Sequence, residues 1–149
     1  MMTAKAVSRQ EIIMNFSSPP STDDLAVLAR QVIETLPDEL SSKCEELILE
    51  IEEFPDDAVL QDLELSNPYE LLALYHSAKE ISPGVQKKIA NGEDKLVVYR
   101  RPILDLWCEA GEDLGALMRE IVIEELARGF EFSDDDIQDM IRRHHQGML

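Results

Sequence analysis

Apolar residues recur at helical spacing from Leu25 through Leu28, Ala29, Val32 and Ile33 to Leu36, where Pro37 stops the run. Ser21 or Thr22 caps this helix, and Asp23 and Asp24 fall in its first turn, where acids suit the positive end of the helix dipole. Residues 46–52 then alternate, with Leu47, Leu49 and Ile51 on one face, as a half-buried strand does. Pro55 ends that strand, and residues 56–63 read as a short helix. Residues 71–75 read as a second strand, although 69–78 also suit a helix. A loop carrying Pro83, Gly84 and Gly92 follows, then a third strand over 95–100. Pro102 suits the start of a helix over 103–109, which Gly111 breaks. The longest helix is expected over 113–129, with Leu114, Leu117, Met118, Ile121 and Val122 as its apolar stripe. A last helix begins at Ser133, a cap with Asp136 three residues on, and buries Ile137, Met140 and Ile141.

This order of elements predicts an α+β domain: a small mixed sheet of about three strands with helices packed on it. One domain fits 149 residues. Residues 1–21, which end in Pro19, Pro20 and Ser21, read as a flexible N-terminal arm, and 22–149 as the single folded domain. A chain of this size buries about two-thirds of its unfolded surface, so it folds without needing a metal or a disulfide.

Charge narrows the partners. The chain holds 31 acids against 14 bases, a net charge of −17. Such a surface repels nucleic acid phosphates and anionic membranes and suits a basic partner. No apolar run is long enough to span a membrane, and the apolar piece at Ile12, Ile13 and Met14 is too short for a signal-peptide core. Cys44 and Cys108 are too few for a disulfide framework or a four-cysteine metal site; reduced thiols and a cytoplasmic location are expected. The three histidines, His76, His144 and His145, form no ligand pattern, and the last two read as part of a solvated tail.

The helix over 113–129 carries the candidate chemistry. Glu124, Glu125 and Arg128 sit one turn apart, followed by Glu131 and Asp134. A zinc-peptidase helix carries H-E-x-x-H, extended by a glycine bend to a third ligand. On that frame Glu124 and Arg128 stand where the two histidines belong, Glu125 at the general base, Glu131 at the glycine and Asp134 at the third ligand. The flanks agree: Tyr99-Arg100-Arg101-Pro102-Ile103-Leu104 precedes the helix and Phe130-Glu131-Phe132-Ser133-Asp134-Asp135-Asp136 follows it. Upstream lie Glu52-Glu53-Phe54-Pro55-Asp56-Asp57 and Ser66-Asn67-Pro68-Tyr69-Glu70-Leu71-Leu72-Ala73-Leu74-Tyr75. In these segments the chain resembles the small bacterial metallopeptidase-like family of minimal zincins, over roughly residues 22–143. The resemblance implies a minimal zincin-like fold, with zinc as the cofactor in active relatives.

Here the motif is degenerate. Arginine has no lone pair to give a metal. A guanidinium about 4 Å from a divalent cation costs roughly 8 kcal/mol at an effective dielectric near 20. No zinc or other cofactor is therefore expected, and Glu125 is a vestigial base with no metal-bound water to activate. Arg128 is expected either to replace the metal, bridging Glu124 and Asp134, or to lie in solvent as an ordinary i,i+4 pair with Glu124. Glutamate at the bend predicts a rearranged turn. The acids at 134–136 lack the spacing of a calcium loop and suit a helix N-terminus. Arg100 and Arg101 are expected to pair with the protein's own acids. The sequence thus points to a zincin-like protein that has lost peptidase activity and binds an unknown protein or peptide. Two alternatives stand beside it: a hydrolase using a carboxylate metal site of Glu124, Glu125 and Asp134, or a purely structural protein.

Overall fold

The computed structural model describes residues 19–77 and 94–147. The segments 1–18 and 78–93 lie outside the described residues, and with them most of the expected N-terminal arm and of the expected loop over 81–94.

Helix α1 (Thr22–Glu34) starts at Ser21, whose hydroxyl accepts from the Asp24 amide while the Asp24 carboxylate accepts from the Ser21 amide. This reciprocal box satisfies two otherwise orphaned donors. Pro37 then opens a further short helix, α2 (Asp38–Ser41), which the hydrophobic pattern did not predict. Strand β1 (Ile48–Glu52), helix α3 (Asp57–Asp62), a 3-10 turn (Pro68–Glu70) and strand β2 (Ala73–His76) follow. Strand β3 (Lys95–Tyr99) runs straight into α4 (Arg100–Ala110), and α5 (Leu114–Gly129) and α6 (Asp134–Gly147) complete the domain. Pro102 is thus the third residue of α4 rather than the first; its missing N–H falls among the four that no helix satisfies internally.

The sheet has the order β1-β3-β2. β1 lies parallel to β3, with Ile48 opposite Lys95, and β2 antiparallel, with Ala73 opposite Val98. The architecture is α+β with a mixed three-stranded sheet, as the sequence predicted. β3 is buried from Leu96 to Tyr99 because it is central, whereas β1 is only half-buried. Its face of Leu47, Leu49 and Ile51 packs against the core as the alternation required.

Helix α5 packs against α1, α6 and β2. It is the most buried helix: Ile123, Leu126 and Ala127 join the predicted stripe inside the core. Near its C-terminal end Glu124, Glu125, Arg128 and Gly129 escape burial. In α6, Ile137 and Met140 are buried, and so is His144, at 6% exposure. Its Nε2 lies 2.7 Å from the Thr35 hydroxyl at the end of α1. The expectation of a solvated His144 is therefore corrected. The residue continues the 137, 140, 141 stripe one turn further, and a neighbouring hydroxyl meets its ring nitrogen.

Candidate functional site

Asp113 caps α5 by accepting the Ala116 amide at 3.0 Å, so the helix begins where its apolar stripe begins. Ten residues on, Glu124, Glu125 and Arg128 project on neighbouring turns. Arg128 Nη2 lies 2.9 Å from Glu124 Oε1, and Nη1 lies 3.7 Å from Glu125 Oε1. The other oxygen of Glu125 accepts the backbone amide of Tyr75 at 3.0 Å. One arginine and one strand amide therefore engage both glutamates.

That amide is on the outer edge of the sheet. Tyr99 donates to the Leu72 carbonyl, and β2 is antiparallel to β3, so the alternating ladder turns the amides of 73 and 75 away from β3. Edge amides are open sites for another strand. Here the Tyr75 amide is held by Glu125, and Ala73 and Tyr75 are each 5% exposed.

Asp134 is the first residue of α6 and is exposed. Its carboxylate acts on Arg128 only through charge. The hydrogen bond that Arg128 donates to Glu124 is the main cause that raises the Arg128 pKa above its ordinary value; burial opposes it, and the charges of Glu124, Glu125 and Asp134 add to it. The bridge from Glu124 through Arg128 to Asp134 does not form: Arg128 is exposed and pairs with Glu124 as the ordinary i,i+4 pair of the other reading. The second carboxylate within ion-pair distance is Glu125, its neighbour on the same helix, rather than Asp134 across the bend.

The bend itself is kept. Glu131 has φ of 64°, in the left-handed region, and the Phe132 amide donates to the Ala127 carbonyl while the Glu131 amide donates to Arg128. These are the two hydrogen bonds of a Schellman stop. The expectation that glutamate forces a rearranged turn is corrected: the chain adopts the backbone a glycine would take and tolerates about 1 kcal/mol of strain. Glu131→Gly is expected to stabilise the fold by up to about 1 kcal/mol, read as a shift in the urea midpoint with an unchanged slope.

Tyr75 links strand to helix. Its ring packs on Phe130 with centroids 5.0 Å apart, and a Cβ built on Gly129 would fall 2.5 Å from it. Burial, with the Asp94 carboxylate beside it, pushes its phenol up to about 12. Tyr99 is buried on β3, and burial first, then the charges of Glu52, Asp56 and Glu125, hold its phenol neutral. Sequence reasoning placed both tyrosines in the shared segments but gave Tyr75 no role. Its contact with α5 spans fifty positions of the chain, which spacing does not encode.

Arg100 binds the Pro20 carbonyl through Nε at 2.7 Å and Glu53 through Nη1 at 2.8 Å, as its expected structural role required. Arg101 instead covers the Phe54 ring at 5.6 Å.

The profile of the family described as zincin-like metallopeptidase matches residues 44–143, two-thirds of the chain. The chain belongs to the zincin-like metallopeptidase family. No curated protein matches it. The match runs from Cys44, four residues before β1, into α6, so it takes in the sheet, α5 and the bend.

Zinc is the cofactor this family implies, and the residues at the family's ligand positions do not fit it. Arg128 offers no lone pair and already binds Glu124. Among the described residues, no three His, Cys, Asp or Glu side chains are grouped to hold a metal ion. Glu124, Glu125 and Asp134 therefore do not assemble the carboxylate site of the alternative reading. The donor set argues against metallopeptidase activity. Arg128 is 61% exposed, so its ion pairs are solvent-screened. Arg128→Ala is expected to change stability by less than about 0.5 kcal/mol in urea unfolding.

Proposed function

We propose that this zincin-like protein binds a protein or peptide partner and does not hydrolyse peptide bonds. The observation that supports this is the saturation of the motif. The side chains at both histidine positions and at the base position are engaged with one another, and the base position also holds the Tyr75 amide. General-base chemistry would require Glu125 to face a polarised water, and its two oxygens face a cation and a strand amide instead.

The covered β2 edge bears on how a partner binds. A peptide added along β2 would have to displace Glu125 from the Tyr75 amide, and a neighbouring guanidinium holds that carboxylate. Recognition through side-chain surfaces outside this edge is the reading these contacts favour. A cytoplasmic setting would keep both cysteines, Cys44 and the exposed Cys108, reduced. Among the described residues no helix is long and apolar enough to cross a membrane.

Metal content by mass spectrometry, on protein purified without chelator and then incubated with excess zinc and desalted, tests the chemistry. Substoichiometric zinc and no cleavage of an unfolded protein substrate are expected. One tightly held zinc per chain with substrate cleavage would overturn the proposal.

A further inference from the structure

The segment between β1 and β2 is built differently from the rest of the domain. Helix α3 and the 3-10 turn bury no residue. Yet the segment carries Phe54, Val59, Leu60, Leu63, Leu65 and Tyr69, all half-buried or exposed. Leu63 and Tyr69 are 42% and 40% exposed.

Local hydrogen bonds, and the packing of the 3-10 turn on α4, brace this segment. Asp56 accepts the Val59 amide at 2.9 Å, Asn67 accepts the Tyr69 amide at 3.0 Å, and the Leu65 amide closes α3 on the Leu60 carbonyl at 2.8 Å. Glu64 takes a left-handed φ of 57° to make that closure. The Phe54 and Tyr69 rings meet edge to face at 5.2 Å, with Arg101 over the far ring. Such a surface is held in shape before any partner arrives, which lowers the cost of binding.

Charge selects the occupant. Between Lys43 and Lys79 the sequence holds ten acids and neither lysine nor arginine. Asp56, Asp57, Asp62, Glu64 and Glu70 are exposed along the segment, against Arg101 over the Phe54 ring, so its apolar side chains match a segment with apolar anchors among lysines or arginines. A nucleic acid or an anionic membrane is repelled by the same acids.

We infer that the α3 and 3-10 face, from Phe54 to Tyr69, is a docking surface for a basic amphipathic segment of a partner protein. The inference rests on the reading of the chain as a binding protein and names the partner's chemistry. It does not depend on the loss of zinc, because it uses no residue of the Glu124–Arg128 cluster.

The test uses the full chain and a fluorescently labelled lysine–leucine amphipathic peptide, with a lysine–serine peptide of equal charge as control. Tighter binding of the lysine–leucine peptide, weakened at least tenfold in the Leu63→Ser/Tyr69→Ser double variant and unchanged in Val27→Ser, is the expected result. Val27 is an exposed apolar residue on α1, away from this segment in sequence. Circular dichroism confirms that each variant is folded. Equal affinity for the two peptides would mean charge alone, and equal affinity of the two variants would mean another face; either overturns the inference. A dimer of the full chain that the double variant dissociates would assign the face to a second copy and also overturn it. Zinc content, read on the same samples, reports separately on the loss of metal chemistry.

Discussion

Replacing Glu124 and Arg128 together by histidine is expected to yield a chain that binds one zinc ion. The two positions are four apart on α5 and already within hydrogen-bonding distance, at 2.9 Å, so two imidazoles would meet one ion from one face. The substitution removes the guanidinium whose charge repels a divalent cation by roughly 8 kcal/mol at about 4 Å. The rest of the frame is standing. Asp134 is near enough to raise the Arg128 pKa, and Glu131 holds the left-handed bend that carries the chain from α5 to α6. Neither substituted side chain is buried in the core, so the fold tolerates both changes. Zinc at about a hundred times its dissociation constant would then stabilise the double variant by about 2.7 kcal/mol, visible as a rise in melting temperature that chelator reverses. The single variants Glu124→His and Arg128→His lack a second imidazole and are expected to show little of this rise. A double variant with no zinc-dependent shift would mean that the third carboxylate is out of reach and that the frame survives in sequence alone. Proteolysis is not the readout, because Glu125 remains bonded to the Tyr75 amide.

That the broken frame is legible at all reflects which features sequence encodes locally. The caps at Ser21 and Ser133 were readable because a side chain bonds an amide three residues on, whereas at Asp56 and Asp113 the helix start was read without its cap. β1 was readable from alternation and β3, buried along most of its length, from its continuous apolar run, whereas the short apolar run of β2 also suited a helix. The start of α4 was misplaced because proline is most familiar at the first helical position, and here two arginines precede it. His144 was misplaced because its charge class outweighed its register; it is four residues after Met140 and three after Ile141, on the same stripe. Arg128 found Glu125 rather than Asp134 because a neighbour on its own helix, three residues away, costs less ordering than one across a bend. The grip of Glu125 on Tyr75 was beyond reach, since the approach of β2 to α5 follows from the packing of the whole domain.

Tyr75 and Gly129 carry the second large effect, and the effect of Gly129→Ala changes sign with the residue at 75. Tyr75→Ala is expected to destabilise the protein by about 3–5 kcal/mol, since it removes a buried ring that packs on Phe130 and leaves a cavity between β2 and α5. For a domain of this size that lowers the melting temperature by roughly 6–20 °C. Gly129→Ala in the parent chain is also expected to destabilise, by about 1–2 kcal/mol. Its Cβ would sit 2.5 Å from the Tyr75 ring, and that ring is fixed by Phe130 on one side and by the strand on the other. The clash outweighs the gain of about 0.5–1 kcal/mol that alanine brings to a helical position over glycine. Remove the ring, and only the gain is left. In the Tyr75→Ala background, Gly129→Ala is therefore expected to stabilise. Four urea unfolding curves complete the cycle. If Gly129→Ala costs as much with alanine at 75 as with tyrosine, the glycine is required for something other than the ring, and the tight contact between β2 and the end of α5 does not exist in solution. The sign reversal would place the junction that also holds Glu125 on a steric fit between one aromatic ring and one missing side chain. On that account the helix keeps its place over the sheet without any ion to tie the two together.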